Sequence, residues 1–205
     1  MVADDSRKFL QGPTENLVPH HTASSKLTQS MLKVFFASLA RLTIRVSPET
    51  ILEVGCGEGF STERLIKIFG TATGYRAIEI DPYFAEQARL RNPSINIAQG
   101  SVYELPSGTA DLVICLEVLE HLENPDLALK QLFRASKSHV ILSVPREPLW
   151  SLGNLARGKY IRNFGNTPGH IQKWSKSDFV EYVSQFGEVL SVASPLPWTV
   201  VLAAS

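Results

Sequence analysis

Only two cysteines, Cys56 and Cys115, occur in the 205 residues of this chain. Two thiols make neither a disulfide framework nor a cysteine-based zinc site, and a reducing compartment is the expectation. No charge of one sign dominates either: 20 Lys and Arg stand against 20 Asp and Glu. Proteins that blanket nucleic-acid phosphates carry a basic excess, so that class is disfavoured, while a local basic patch stays open. No apolar run approaches the ~18 residues of a membrane span. Met1 to Leu10 holds Asp4, Asp5, Arg7 and Lys8 and no apolar stretch, so no secretory signal is expected, and a cytoplasmic location is. Internal repeats and low-complexity segments are missing too. What is present suits a packed core. The apolar set makes up 44% of the residues and the charged set 20%, which excludes wholesale disorder and allows one ordinary domain.

Residues 1–25, with Pro13, Pro19 and the pair His20-His21, are read as an irregular arm or lid ahead of one domain over 26–205. From Lys26 to Val46 apolar residues recur at helical spacing. Beyond Pro48 the chain alternates. Strands are predicted at 51–54, 76–80, 95–98, 111–116 and 139–144. Helices are predicted at 61–69 and 83–91 and after the Asn124-Pro125-Asp126 start signal. Such alternation implies a parallel sheet covered by helices on both faces. Asp111 to Leu116 is nearly all apolar, as a strand buried on both faces requires. The tail differs. A helix at 175–186 is followed by strands at 188–192 and 198–203, joined by Ala193 to Pro197 alone. So short a link holds no crossover helix, so these last strands are antiparallel neighbours.

Directly after the first strand comes Gly55-Cys56-Gly57-Glu58-Gly59, a loop whose glycines let backbone approach a ligand closely. Dinucleotide-binding proteins use similar loops, so the neighbouring acids decide. Glu53 lies two residues before the first glycine, where a carboxylate repels a pyrophosphate and suits a cationic ligand. Glu79 lies at the next strand end, where a carboxylate accepts from ribose hydroxyls, with Asp81 as its competitor. The pattern asks for a nucleoside with a cationic tail and no phosphates.

Ile51 to Gly59 resembles the first motif of class I S-adenosylmethionine-dependent methyltransferases, and Ala77-Ile78-Glu79-Ile80-Asp81 resembles their second. Gln99 to Pro106 resembles their adenine-lining segment, and Asp111 to Leu122 their fourth-strand motif. The match covers about four-fifths of the chain, and several ordered motifs make it specific. It is similar above all to type 11 and ubiquinone-pathway methyltransferases. The resemblance implies an α/β, Rossmann-like, seven-stranded, mostly parallel sheet of order 3-2-1-4-5-7-6, its last strand antiparallel, with helices on both faces. It implies S-adenosylmethionine as cofactor and S-adenosylhomocysteine as product. The cofactor contacts it implies are Glu53, Gly55, Cys56, Gly57, Gly59, Glu79, Ile80, Ser101, Val102, Leu116 and Glu117. Ser101 stands where the family usually has an Asp that accepts from the adenine amino group.

Glu117, Glu120 and His121 share one face if a helical turn starts at Glu117. With His170 they resemble, more weakly, the metal-holding residues of small-RNA 3′-terminal 2′-O-methyltransferases, although Thr167 stands where those enzymes tend to have another His. The favoured reading has no metal: His121 and His170 are candidate bases beside a small-molecule acceptor, with an oxygen nucleophile expected. The alternatives are a metal-assisted RNA 2′-O-methyltransferase and a non-catalytic cofactor-binding domain. Residues 145–175 form a cap-like insert with five basic side chains (Arg146, Arg157, Lys159, Arg162, Lys173) against Glu147 alone. Trp150, Tyr160, Phe164 and Trp174 are interleaved with them, which suits a planar or anionic acceptor.

Overall fold

A computed structural model describes residues 26–70, 74–156, 167 and 169–205. The proposed N-terminal arm with His20 and His21 lies outside these residues. So do Arg157, Lys159, Tyr160, Arg162 and Phe164 of the insert.

Helix α1 spans Lys26–Leu42 and buries Leu32, Phe35, Phe36 and Leu39 along one face. It ends four residues before the predicted stop at Val46. Thr43 turns its hydroxyl back onto the carbonyls of Leu39 and Ala40, which lets the chain leave the helix there. The core of the alternation then runs as predicted: β1 (Thr50–Val54), α2 (Phe60–Phe69), β2 (Gly74–Glu79), α3 (Pro82–Arg91), β3 (Asn96–Gln99) and β4 (Ala110–Leu116). Then follow α4 (Pro125–Ala135), β5 (Ser136–Pro145), α5 (Leu149–Ala156), α6 (Lys176–Ser184), β6 (Glu188–Ala193) and β7 (Trp198–Ala204). The caps explain the boundaries. Asp81 Oδ1 accepts from the Tyr83 and Phe84 amides to open α3. Asn124 Oδ1 accepts from Leu127 N to open α4, with Pro125 in its first turn.

The seven strands form one sheet of order β3-β2-β1-β4-β5-β7-β6. Pairs β1–β2, β1–β4, β2–β3 and β4–β5 are parallel. Strand β7 runs antiparallel to both β5 and β6, as the short link before it demands. Alternate residues of the central strands feed two cores. Leu52, Val113 and Cys115 pack with Leu129, Leu132 and Phe179 on one side. Ile51, Leu112 and Ile114 pack with Leu39 and Leu65 on the other. This two-sided burial is why β4 reads as unbroken apolar sequence. Each fully buried aliphatic here contributes ~1.5–3 kcal/mol. The order also reverses between β1 and β4, so a crevice opens beyond Val54 and Leu116. No helix among the described residues is long and apolar enough to cross a membrane.

Candidate active site

The glycine loop leaves the end of β1 and hooks at once onto β2. Both the Gly55 and Cys56 amides donate to Ile78 O, at 2.9 and 3.2 Å. Gly55 has φ 77°, and a Cβ there would overlap the Val118 Cγ2 methyl. Only glycine lets the loop after β1 lie this close to the loop after β4. Gly57, at φ 54°, faces open space on the crevice side.

Glu79 ties the loop to the second strand end. Its Oε2 accepts from Gly57 N at 2.8 Å and its Oε1 from Asp81 N at 3.0 Å. Each oxygen keeps lone-pair capacity for a ribose hydroxyl. Asp81, the competitor for that role, is occupied in capping α3.

Glu53 is placed differently from the sequence reading. It does not line the mouth but lies only 2% exposed beneath the loop. Its carboxylate accepts from Ser61 Oγ, Thr62 Oγ1 and the Tyr75 hydroxyl at 2.6, 2.6 and 2.8 Å. Burial raises its pKa, and the three hydroxyls oppose that shift. Glu53 therefore ties the end of β1 to the start of α2 and to β2.

Ile80 is exposed, next to Glu79. Ser101 Oγ accepts from Tyr103 N, capping a single 3-10 turn at Val102–Glu104 that buries Val102. Cys56 and Cys115 are buried, and burial pushes both thiols above their usual range, so they are small core residues rather than nucleophiles.

Beyond Leu116 the expected helical face does not form. Glu117 adopts φ 57°, the left-handed region, and its side chain turns toward β5. There Ser143 Oγ donates to Glu117 Oε1 at 2.7 Å and the Trp198 indole adds a hydrogen bond. Burial pushes this carboxyl up to about 7. The next turn, Leu119–His121, is 3-10, so Glu120 and His121 do not continue a helical face from Glu117, although the Glu117 charge still acts on Glu120. The group brought together is thus Glu120, His121 and His170, whose ligand atoms lie within 4.8 Å of one another.

His121 Nδ1–H donates to Gly169 O at 3.0 Å, which leaves Nε2 with the lone pair when the ring is neutral. Burial lowers its pKa and so favours that neutral form. Glu120 is 2% exposed, and its Oε2 has no hydrogen-bond partner. Burial and the nearby Glu117 charge both raise its pKa. A divalent cation held by Glu120, His121 and His170 would satisfy the orphan oxygen and offset the buried charge, so this donor set fits a metal.

The insert returns to this turn through backbone bonds. The amides of Ile171 and Gln172 both donate to Glu120 O, at 2.9 and 3.0 Å. The indole of Trp150, on α5, stacks 5.9 Å from His170 and donates to Thr167 Oγ1. Thr167 therefore positions α5 instead of serving as a ligand. Trp150 is buried and Trp174 stacks on Tyr182, so these two aromatics pack inward and offer no open platform.

Three contributors escape sequence reasoning. Asn92 Nδ2 donates to Gly59 O at 3.0 Å and Arg91 Nε to Glu58 O at 3.0 Å. The Arg91 guanidinium also lies 3.5 Å from the Phe60 ring centre. Trp198 opens β7, which enters the crevice edge only because that strand is reversed. All three come from distant elements, and no local motif announces them.

A family profile described as a methyltransferase domain matches residues 27–190. A Mycolicibacterium smegmatis protein named as a probable S-adenosylmethionine-dependent methyltransferase is 24% identical over 151 residues, covering 72% of this chain and 54% of that protein. The ubiquinone biosynthesis O-methyltransferase of Rickettsia conorii is 29% identical over 164 residues, covering 75% of this chain and 54% of that protein. The chain thus spans about half the length of these two curated relatives. The crystal structure of magnesium protoporphyrin IX methyltransferase from Synechocystis with bound SAH superposes with a TM-score of 0.67 at 14% identity, covering 89% of this chain and 88% of that one.

Proposed function

The chain belongs to the family of methyltransferase domains, and we propose that it carries a methyl group from S-adenosylmethionine to an oxygen nucleophile of a small-molecule acceptor. One arrangement carries this reading. The loop held by Glu79 and the group Glu120, His121 and His170 border the same crevice, at the ends of adjacent strands β1 and β4. The O-methyltransferase among the relatives supports an oxygen acceptor.

The transfer is an in-line displacement at the sulfonium methyl. The acceptor oxygen forms the new C–O bond as the C–S bond breaks, and the leaving group is a neutral thioether. The protein need stabilise no leaving anion, so alignment and exclusion of water dominate. The acceptor's proton must still go somewhere. Neutral His121, with Nε2 free to accept, is the base that the geometry offers. Were a divalent cation bound by Glu120, His121 and His170 instead, His121 Nε2 would be a ligand and not the base, and the cation would supply the Lewis acidity that makes an acceptor hydroxyl easier to ionise. Glu79 orients the ribose, and the glycine loop admits the cofactor's methionine portion.

The orphan oxygen of Glu120 favours a second reading, in which a cation holds the terminal ribose hydroxyls of RNA. Labelled methyl transfer onto phenols, sugars and RNA 3′ ends, with chelator and with magnesium or manganese returned, separates the two. Activity on small molecules supports the first reading. Chelator-sensitive labelling of RNA ends alone replaces it. Titration calorimetry with S-adenosylhomocysteine tests the common premise, and an absence of binding removes both.

A further inference from the structure

The edge of the sheet opposite the glycine loop carries a groove of about 580 Å³, between the end of α1 and β6. His139 and Leu202 in its lining lie near the start of β5 and the end of reversed β7, which places the groove away from the crevice. Its size falls within the ~300–1,000 Å³ of small-molecule sites.

The lining mixes two chemistries. Arg41, Arg45 and His139 supply cationic or hydrogen-bonding groups, and among the described residues no carboxylate lines the groove. The guanidiniums of Arg64, Arg76, Arg89, Arg91 and Arg134 each donate a hydrogen bond within the protein. Among the described residues, none engages Arg41 or Arg45, and no acid pairs with either. Arg41 complements the carbonyl end of α1, but that does not account for Arg45.

The second chemistry is aliphatic. The pairing of β6 with β7 slips between Val189 and Ser191, so Leu190 is the extra residue of a bulge. Bulges re-aim side chains, and here Leu190 lines the groove while 46% exposed. Ile44, also in the lining, is 81% exposed. Two exposed aliphatic side chains thus stand beside two cations that no acid among the described residues pairs. A metal ion is repelled by this charge. A nucleic acid needs a longer basic track and no aliphatic floor.

We propose that this groove binds an anionic amphiphile: one aliphatic chain along Ile44 and Leu190, with its carboxylate or phosphate head between Arg41 and Arg45. The site is separate from methyl transfer and does not depend on that reading.

Calorimetry on the full chain tests it with octyl phosphate and octanoate, and with octanol and inorganic phosphate as the separate halves. At least one amphiphile should bind at least tenfold more tightly than either half, and the better of the two identifies the head group. Arg41→Gln with Arg45→Gln should weaken that binding at least tenfold while leaving octanol unchanged. Leu190→Ser should weaken every probe that carries a chain. S-adenosylhomocysteine affinity should be the same in all variants, which shows that they are folded. Amphiphiles that bind no better than their halves overturn the proposal, as does a double variant that binds normally. So does sedimentation showing a dimer that the Leu190→Ser change dissociates, since a second copy then fills the groove.

Discussion

Replacing Gly55 by Ala separates two reasons for a glycine at one position. The residue sits at φ 77°, where an L side chain costs about 1–2 kcal/mol of backbone strain. Its new methyl would also overlap Val118 Cγ2, an over-packing that typically costs about 1–3 kcal/mol. Gly55→Ala should therefore lower stability by about 2–5 kcal/mol, the sum of those two ranges. Val118→Ala removes the offending methyl, so in that background Gly55→Ala should cost only the backbone part, about 1–2 kcal/mol. The difference is a coupling of about 1–3 kcal/mol, read from urea unfolding of the four proteins in a double-mutant cycle. Additivity within about 0.5 kcal/mol would show that the two loops are not in contact, and would refute the close approach on which the crevice depends. S-adenosylhomocysteine affinity in the double variant adds a functional readout. If the glycine serves only to admit Val118, binding should recover with the steric relief.

Glu79→Gln keeps the shape but weakens the acceptor for Gly57 N and for ribose hydroxyls, so S-adenosylhomocysteine affinity should fall at least ~10-fold, about 1.4 kcal/mol; an unchanged Kd in calorimetry would remove Glu79 from the ribose role. Burial holds Glu53 above the ordinary 4.5, so the native state binds this proton more tightly than the unfolded chain. Its contribution to stability is therefore fully present on the acid side and declines as pH rises from about 4.5 through the native value. Urea midpoints should fall less steeply with pH in Glu53→Gln than in wild type, and parallel slopes would contradict the assignment. Asn124→Ala removes the cap of α4 and should cost about 1 kcal/mol in the same unfolding assay, with no change in cofactor affinity. Arg91→Ala should cost about 1 kcal/mol of stability or less, since Arg91 itself is exposed, yet raise the KM for S-adenosylmethionine by releasing the Glu58 carbonyl.

The elements legible in the sequence were those whose cause is local. Asn124 announces a helix start because capping uses a side chain three residues from its partner, whereas Asp81, read as a competitor for the ribose, is the cap of α3. The unbroken apolar run of β4 follows from two cores meeting on one strand, and the five-residue link before Trp198 leaves no choice but a reversed strand. The site was legible only in part. The loop glycines do follow β1 and Glu79 does end β2, as read from the sequence, but the orientation of Glu117 was not legible. Its left-handed backbone is uncommon for a residue with a side chain, and only Ser143 and Trp198, far along the chain, account for where it points. Glu53 misled for a related reason. Sequence shows an acid next to the loop, but not the three hydroxyls from α2 and β2 that draw it inward.

The insert meets the turn at Glu120 through peptide groups: two amides on the Glu120 carbonyl, and the Gly169 carbonyl on His121. Every amino acid brings the carbonyl, and every one but proline brings the amide. Exchanges at 171 that keep a backbone N–H therefore leave the Glu120 carbonyl bonded, whereas Gln172, whose Nε2 donates to Leu122 O, Gly169 at φ 90° and Trp150 stacked on His170 are held by their own side chains or backbone. An engineer can therefore diversify positions 171 and 173 as a library while Gln172 and its hydrogen bond to Leu122 O are kept.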